Sequence, residues 1–205
     1  MRLAITLGFD ATFVVRSLAS LGPVEELYLL YAVTGTPRDP DSEATARDVV
    51  KAVGRGKLVA VDLRDLATAI SQVAAVDFDA VALAGGPRAL VVVTLVVAIV
   101  KESRIYLVPE YQGGVLDVTG LQAVKKLYTL SRGKLEVLAA MDGRVRYGDV
   151  AKRLGLHSTT AYRYLERLEE AGLVRRLGRR GGEFEVDKLT RALAKILHEF
   201  RNKAT

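Results

Sequence analysis

Two short glycine-bearing stretches carry the residues best suited to chemistry in this sequence. "LGFDATF" (7–13) and "LAGGPR" (83–88) each follow an apolar run and combine glycine with a charged side chain. Glycine lets a ligand approach the backbone closely. Amides at the start of a following helix, with an arginine beside them, favour an anion. The pattern indicates an anion site, with an ordinary tight turn as the alternative interpretation of "GGPR".

This chemistry selects a small set of candidates: Asp10 and Thr12 as polar anchors or helix caps, Arg16 one helical turn further in, and Gly85, Gly86 and Arg88. A nicotinamide cofactor does not fit, because "GFDATF" has one glycine where the dinucleotide fingerprint needs three. No acidic residue follows the second apolar run before Asp39. We therefore expect no cofactor.

Composition argues against several kinds of catalytic centre. The chain has no cysteine, which excludes disulfides and thiolate metal sites, and its two histidines, His157 and His198, lie far apart. Residues 1–128 contain no histidine, and lysines such as Lys101 lie outside the two turns. We expect no catalytic residues, no metal site and no enzyme activity. A single asparagine fits a thermophile's avoidance of labile residues.

Hydropathy predicts a soluble, cytoplasmic protein without a membrane partner. The start, "MRLAITLGFD", is too short and too soon acidic for a signal peptide. The longest apolar run, Ala89–Val100, has 12 residues, whereas a bilayer span needs about 20.

The first part of the chain alternates apolar strand-like runs with helical patterns, which predicts a Rossmann-like α/β fold with a parallel sheet. Residues 91–100 are rich in β-branched side chains and permit a strand, but the length of the run and Pro87 before it favour a helix. In the common doubly wound order the first and fourth strands are neighbours, so both glycine turns would face one crevice.

Charge divides the chain in two. Residues 1–128 carry 13 Lys and Arg against 14 Asp and Glu, a net of −1, whereas residues 129–205 carry 17 against 10, a net of +7. We therefore predict two domains, 1–126 and 127–205, of which the second meets a polyanion. A merely soluble basic surface is the alternative.

The sequence pattern of residues 147–186 is typical of a helix-turn-helix followed by a β-hairpin. Ser158 or Thr159 can cap a helix whose core side carries Ala161, Leu165 and Leu168. Residues 131–202 resemble the winged helix-turn-helix family of DNA-binding domains, an α+β fold. The resemblance implies a recognition helix over 158–171 and a basic wing over 178–182. The expected DNA contacts are Ser158, Thr159, Thr160, Tyr162, Arg163 and Arg167 on the helix, and Arg179 and Arg180 on the wing. A winged helix used for protein contact is the alternative.

The apolar run 89–100 also bears on assembly. A helix that is apolar all around must be covered on every side, and the sheet covers only one face. A second copy of the chain could cover the other, which would set two crevices beside a two-fold axis and suit a symmetric anionic ligand.

The whole chain resembles the archaeal CRISPR-associated transcriptional regulators that join a CARF (CRISPR-associated Rossmann fold) domain to a C-terminal winged helix. The matching motifs are "LGFDATFVVR" and "GGPR", together with the domain order and length. The resemblance implies a homodimer that binds promoter DNA and a cyclic oligoadenylate, with cyclic tetra-adenylate as the first candidate. It carries over a set of ligand-binding residues: Gly8, Phe9, Asp10, Arg16, Gly85, Gly86, Pro87 and Arg88.

Three functions remain open at this level. The first is a regulator of CRISPR-associated genes whose DNA binding responds to cyclic oligoadenylate. The second is a ring nuclease that cleaves the same ligand. The third is a transcription regulator that responds to another small anion, such as a nucleotide or sugar phosphate.

Overall fold

The computed structural model describes residues 1–111, 113–178 and 182–203. The chain forms two compact units, Met1–Thr119 and a second that begins at Gly120. The charge pattern predicts a domain boundary after residue 126. In the structure Ala123 packs in the hydrophobic core of the second unit, in keeping with a unit that begins at Gly120.

A six-stranded sheet organises the first unit, in the order β3-β2-β1-β4-β5-β6. The first five strands pair in parallel, and the sixth pairs antiparallel with the fifth. The strands are β1 (Arg2–Thr6), β2 (Glu26–Val33), β3 (Lys57–Asp62), β4 (Ala80–Leu83), β5 (Arg104–Leu107) and β6 (Leu116–Asp117). The predicted pairing of the first strand with the fourth is confirmed, since Leu3 lies opposite Ala80.

Helices cover both faces of this sheet. They are α1 (Thr12–Leu21), α2 (Asp39–Val53), α3 (Leu66–Ala74) and α4 (Arg88–Lys101). Alternating strand residues point to opposite faces: Leu3 and Ile5 share a core with Val14 of α1 and Val49 of α2, whereas Ala4 shares a core with residues of α3 and α4. The predicted Rossmann-like α/β fold is confirmed.

The run 89–100 is helical, as expected from its length. Pro87 precedes the first residue of α4, where its missing N–H costs no helical hydrogen bond. Leu90, Val93 and Val97 face the core with exposed fractions of 4% or less, whereas Val92, Val96 and Val100 are 44–65% exposed. Within the first unit, α4 therefore has one covered face and one uncovered apolar face.

The second unit is a helical domain with a small antiparallel sheet of order β7-β9-β8. Its elements are α5 (Ala123–Leu127), α6 (Arg132–Ala140), β7 (Arg144–Arg146), α7 (Tyr147–Leu154), α8 (Ser158–Glu170), β8 (Arg175–Leu177), β9 (Glu183–Glu185) and α9 (Lys188–Lys203). Leu138, Leu165 and Phe184 are fully buried in its core. The winged helix-turn-helix architecture is confirmed, with β7 as a strand that the sequence analysis did not predict.

The cap of α8 differs from the prediction. The helix begins at Ser158, and His157 occupies the N-cap position without a side-chain capping bond. Ser158 and Thr159 thus lie within the first turn, where both are exposed, and their hydroxyls are left for other partners.

Candidate anion site and nucleic-acid interface

The turns after β1 and β4 touch each other through their glycines. A Cβ on Gly8 would lie 2.7 Å from the backbone nitrogen of Gly86, and a Cβ on Gly86 would lie 2.7 Å from the carbonyl oxygen of Leu7. Gly86 also has φ of +96°, which disfavours any other residue. The two predicted turns are therefore brought together, and Gly8 and Gly86 are needed for the turns to pack.

A buried threonine fixes this junction from inside the sheet. The Thr6 hydroxyl, which is fully buried, accepts hydrogen bonds from the amides of Ala84 (3.0 Å) and Gly85 (3.3 Å). The role of Thr6 could not be predicted from the sequence, because nothing in a strand residue's type reveals a partner 78 positions away. Its bonds hold the β4 turn against β1.

Asp10 is exposed and also forms a local hydrogen bond. Its Oδ1 accepts the amide of Thr12 at 2.8 Å. Hydrogen bonds from Thr12 lower the pKa of Asp10 below its usual value. This carboxylate therefore orders the entrance to α1, where the Thr12 side chain is exposed.

Two of the predicted ligand-binding residues, Arg16 and Arg88, are arginines of the first unit. Arg16 donates to the carbonyl oxygen of Pro109 at 2.8 Å, after the end of β5, and its guanidinium lies 5.3 Å from the centre of the Phe13 ring. Arg88 is the first residue of α4 and is exposed; within the described residues it forms no ion pair. Pro87, just before it, is half-buried.

A third cation, Arg38, was missed by the sequence analysis. It lies between β2 and α2, and its guanidinium is 6.0 Å from the centre of the Phe9 ring. The signal that could have found it is topological: β2 neighbours β1 in the parallel sheet, so the carboxyl ends of both strands lie at one edge. Arg16, Arg38 and Arg88 thus bring three guanidinium groups to this part of the first unit.

In the second unit, α8 presents the expected polar face. Ala161, Leu165 and Leu168 are fully buried. The predicted DNA contacts Ser158, Thr159, Arg163 and Arg167 are exposed, and Thr160 is half-buried. Arg167 pairs with Glu170 at 2.7 Å along the same helix.

Tyr162, one of the expected DNA contacts, is half-buried and packs against the core of the second unit. Its ring packs edge-on against Tyr147 at 5.5 Å and against Phe184 at 6.2 Å. Its hydroxyl accepts a hydrogen bond from Arg176 of β8 at 3.1 Å. A large aromatic side chain at the border of the apolar stripe of α8 is stabilised more by packing against other rings than by exposure to water. Tyr162 therefore connects α8 to the β8–β9 hairpin.

A shallow groove of about 360 Å³ lies beside the recognition helix. It is lined by Lys134, Thr160, Arg163, Tyr164 and Arg167. Lys134, on α6, was not predicted, because it belongs to another helix and meets α8 only through the tertiary fold. Three of these five side chains are cationic, which suits a phosphate backbone.

The expected wing lies between β8 and β9. Arg179 and Arg180, the two predicted wing contacts, lie outside the described residues. Gly178, which precedes them, has φ of +77°, so the chain leaves β8 through a conformation that favours glycine.

Comparison with known proteins decides the family. Residues 1–119, which include both glycine turns, match the model of the Csa3 CRISPR-associated Rossmann-like domain. The chain is also 44% identical over 197 residues to the "CRISPR locus-related putative DNA-binding protein Csa3" of Thermoproteus tenax, covering 96% of this chain and 97% of the relative. This chain belongs to the Csa3 family. The sequence-based resemblance to archaeal CRISPR-associated regulators is thereby confirmed.

The second unit of this Csa3-family chain has a match of its own. Residues 135–178 match the model of the IclR helix-turn-helix domain, a stretch that contains α7 and α8. This Csa3-family chain thus contains a Rossmann-like domain followed by a helix-turn-helix domain.

Solved structures give weaker likenesses. Can2 from Sulfobacillus thermosulfidooxidans, in complex with cyclic tetra-adenylate, has a TM-score of 0.45 at 10% identity, covering 99% of this chain and 66% of Can2. Protein VC1899 from Vibrio cholerae has a TM-score of 0.41 at 12% identity, covering 94% of this chain and 63% of that protein. These TM-scores are too low to carry an argument about this Csa3-family chain.

Neither a metal-binding cluster nor a membrane-spanning helix is found among the described residues. Among residues 1–111, 113–178 and 182–203, no group of three or more His, Asp or Glu side chains could hold a metal ion. No helix within these ranges is both long and apolar enough to cross a bilayer.

Proposed function

We propose that this Csa3-family protein is a ligand-responsive transcription regulator of CRISPR-associated genes. A cyclic oligoadenylate, with cyclic tetra-adenylate as the first candidate, binds the first unit, and promoter DNA binds the second. The observation that carries the proposal is the contact between the Gly8 and Gly86 turns at an edge that also bears Arg38 and Arg88.

The electrostatics of this edge support an anionic ligand. Arg88 stands at the amino end of α4, where the helix dipole adds to its positive charge. The carboxylate of Asp10 is engaged with Thr12, and that of Asp39 accepts hydrogen bonds from Thr34 and Gly35. Both carboxylates accept hydrogen bonds within their own loops, so a phosphate bound at this edge would take its hydrogen bonds from guanidinium groups and backbone amides.

The uncovered face of α4 supports a homodimer. Val92, Val96 and Val100 recur every four residues along it, and Leu66 and Ile70 of the neighbouring α3 are also exposed. A stripe of this kind on a folded unit is typical of an interaction surface. A second copy covering it gives a two-fold axis, which fits a symmetric cyclic ligand.

The second unit supports binding to double-stranded DNA. The net charge of +7 over residues 129–205, the exposed residues of α8 and the cationic groove that includes Lys134 favour a duplex over a neutral protein partner. Phosphate contacts would supply much of the affinity, and the exposed face of α8 would read the bases.

Calorimetric titration with cyclic tetra-adenylate tests the ligand half of this proposal. We expect saturable binding of one ring per two chains, and intact ligand after prolonged incubation when a labelled ring is used. Linear products would instead support a ring nuclease. A thermal shift with another nucleotide or a sugar phosphate but none with cyclic tetra-adenylate would support a regulator of different ligand specificity.

A further inference from the structure

An exposed aromatic ring and an exposed guanidinium meet at the proposed ligand edge. The Phe9 side chain is 55% exposed although it is large and apolar. Arg38 reaches it from a different loop, with its guanidinium 6.0 Å from the ring centre. The two residues come from the loops after β1 and β2, so only the folded sheet brings them together.

The fold leaves the charge of Arg38 available. Within the described residues Arg38 makes no ion pair. Asp39, its neighbour in sequence, accepts the Thr34 hydroxyl at 2.6 Å and the Gly35 amide at 2.7 Å. These bonds fix the loop that carries Arg38, and those from Thr34, the largest cause, lower the pKa of Asp39. The loop is thus ordered, while its arginine faces the ring and solvent.

This pair has the chemistry of a nucleobase site. A base stacks on an aromatic ring through its π face, and a guanidinium adds a cation–π contribution to such a stack. A phosphate alone would gain nothing from an exposed phenyl ring. The observation therefore favours a ligand with an aromatic base, and a purine offers the larger stacking area.

We propose that Phe9 and Arg38 form a nucleobase subsite, in which a purine base of the bound nucleotide stacks on the Phe9 ring beside the Arg38 guanidinium. This inference rests on the proposed function, in which the phosphates lie near Gly86 and Arg88. It adds Arg38 to the ligand-binding residues and assigns Phe9 to the base rather than the phosphate.

The test uses the full-length protein and two probes. Calorimetry measures the affinity for cyclic tetra-adenylate, and an analogue with one 2-aminopurine reports stacking through fluorescence quenching. We expect Phe9→Leu to weaken binding about tenfold or more and to reduce quenching, since a stacked base contributes about this much. Phe9→Tyr keeps the ring and should stay within about twofold of the wild type. Arg38→Ala should weaken binding severalfold.

Arg55→Ala is the matched control, because Arg55 is an exposed arginine just before β3, at the other end of the strands. Its affinity should equal that of the wild type. If the wild type binds cyclic tetra-adenylate but Phe9→Leu and Arg38→Ala bind equally well with unchanged quenching, the subsite is wrong and the proposed function stands. If the wild type does not bind this ligand, both proposals fail.

Discussion

A side chain on Gly8 would stand 2.7 Å from the backbone nitrogen of Gly86, so the turns after β1 and β4 pack directly on each other. This contact joins two segments 78 residues apart in sequence. It also places the start of α4, with Arg88, beside the loop that carries Phe9. The arrangement of the proposed ligand edge therefore depends on two positions where only hydrogen fits.

Replacing either glycine should destabilise the first unit. Gly86→Ala combines an unfavourable φ with a clash against the Leu7 carbonyl, so we expect the free energy of unfolding to fall by about 2–4 kcal/mol. Gly113→Ala is the control, because a Cβ there meets nothing within 4 Å. Urea denaturation measures both. Equal stability of the two variants would contradict the packing role of Gly86.

Arg88→Ala should weaken ligand binding without affecting the fold. Loss of a charge-assisted hydrogen bond to a phosphate predicts about 10- to 100-fold weaker binding of cyclic tetra-adenylate. Arg104→Ala is the matched control, because Arg104 is exposed but begins β5, at the opposite edge of the sheet. Calorimetry compares the two variants. A similar loss in both would mean that net charge, rather than this edge, governs binding.

The glycine turns could be predicted from sequence because the parallel α/β pattern fixes which strand ends share an edge. The helical state of residues 89–100 could be predicted as well, since its length and Pro87 outweighed its β-branched composition. The requirement for glycine at position 86 could not be predicted, because the Leu7 carbonyl that excludes a side chain there is 79 residues away. Only the packed backbone reveals that contact.

Arg38 and Tyr162 mark the limits of reasoning from sequence in two different ways. Arg38 belongs to no motif, and its place beside Phe9 follows from the pairing of β1 with β2. Tyr162 lies at the border of the apolar stripe of α8, where the helical period does not decide between core and solvent. Its inward position depends on Tyr147 and Phe184, which come from other elements.

Tyr162 and Arg163 should have separable effects, although they are adjacent in α8. Tyr162→Ala removes two ring contacts and the bond from Arg176, so we expect about 2–4 kcal/mol less stability. Arg163→Ala should leave stability within about 0.5 kcal/mol but weaken DNA binding and lower the salt slope by about one. Denaturation and salt-dependent anisotropy measure the two effects. Unchanged DNA affinity in Arg163→Ala would remove this residue from the interface.

The wing prediction rests on sequence, and it has a distinct signature. Replacing both Arg179 and Arg180 by Ala should weaken binding to all duplexes alike and reduce the slope of log K against log salt by about two. A double replacement of Arg47 and Arg55 in the first unit removes the same charge elsewhere and should leave the slope unchanged. Equal slopes for the two double variants would refute a wing contact.

The central claim is that ligand at the first unit changes DNA affinity at the second. Its most direct measurement is the dissociation constant for CRISPR-locus promoter duplexes, determined by anisotropy with and without saturating cyclic tetra-adenylate. Couplings of this kind amount to about 5- to 150-fold, and linkage requires DNA to alter ligand affinity by the same factor. We expect such a reciprocal change. Identical DNA affinity with and without the bound ligand would contradict the account.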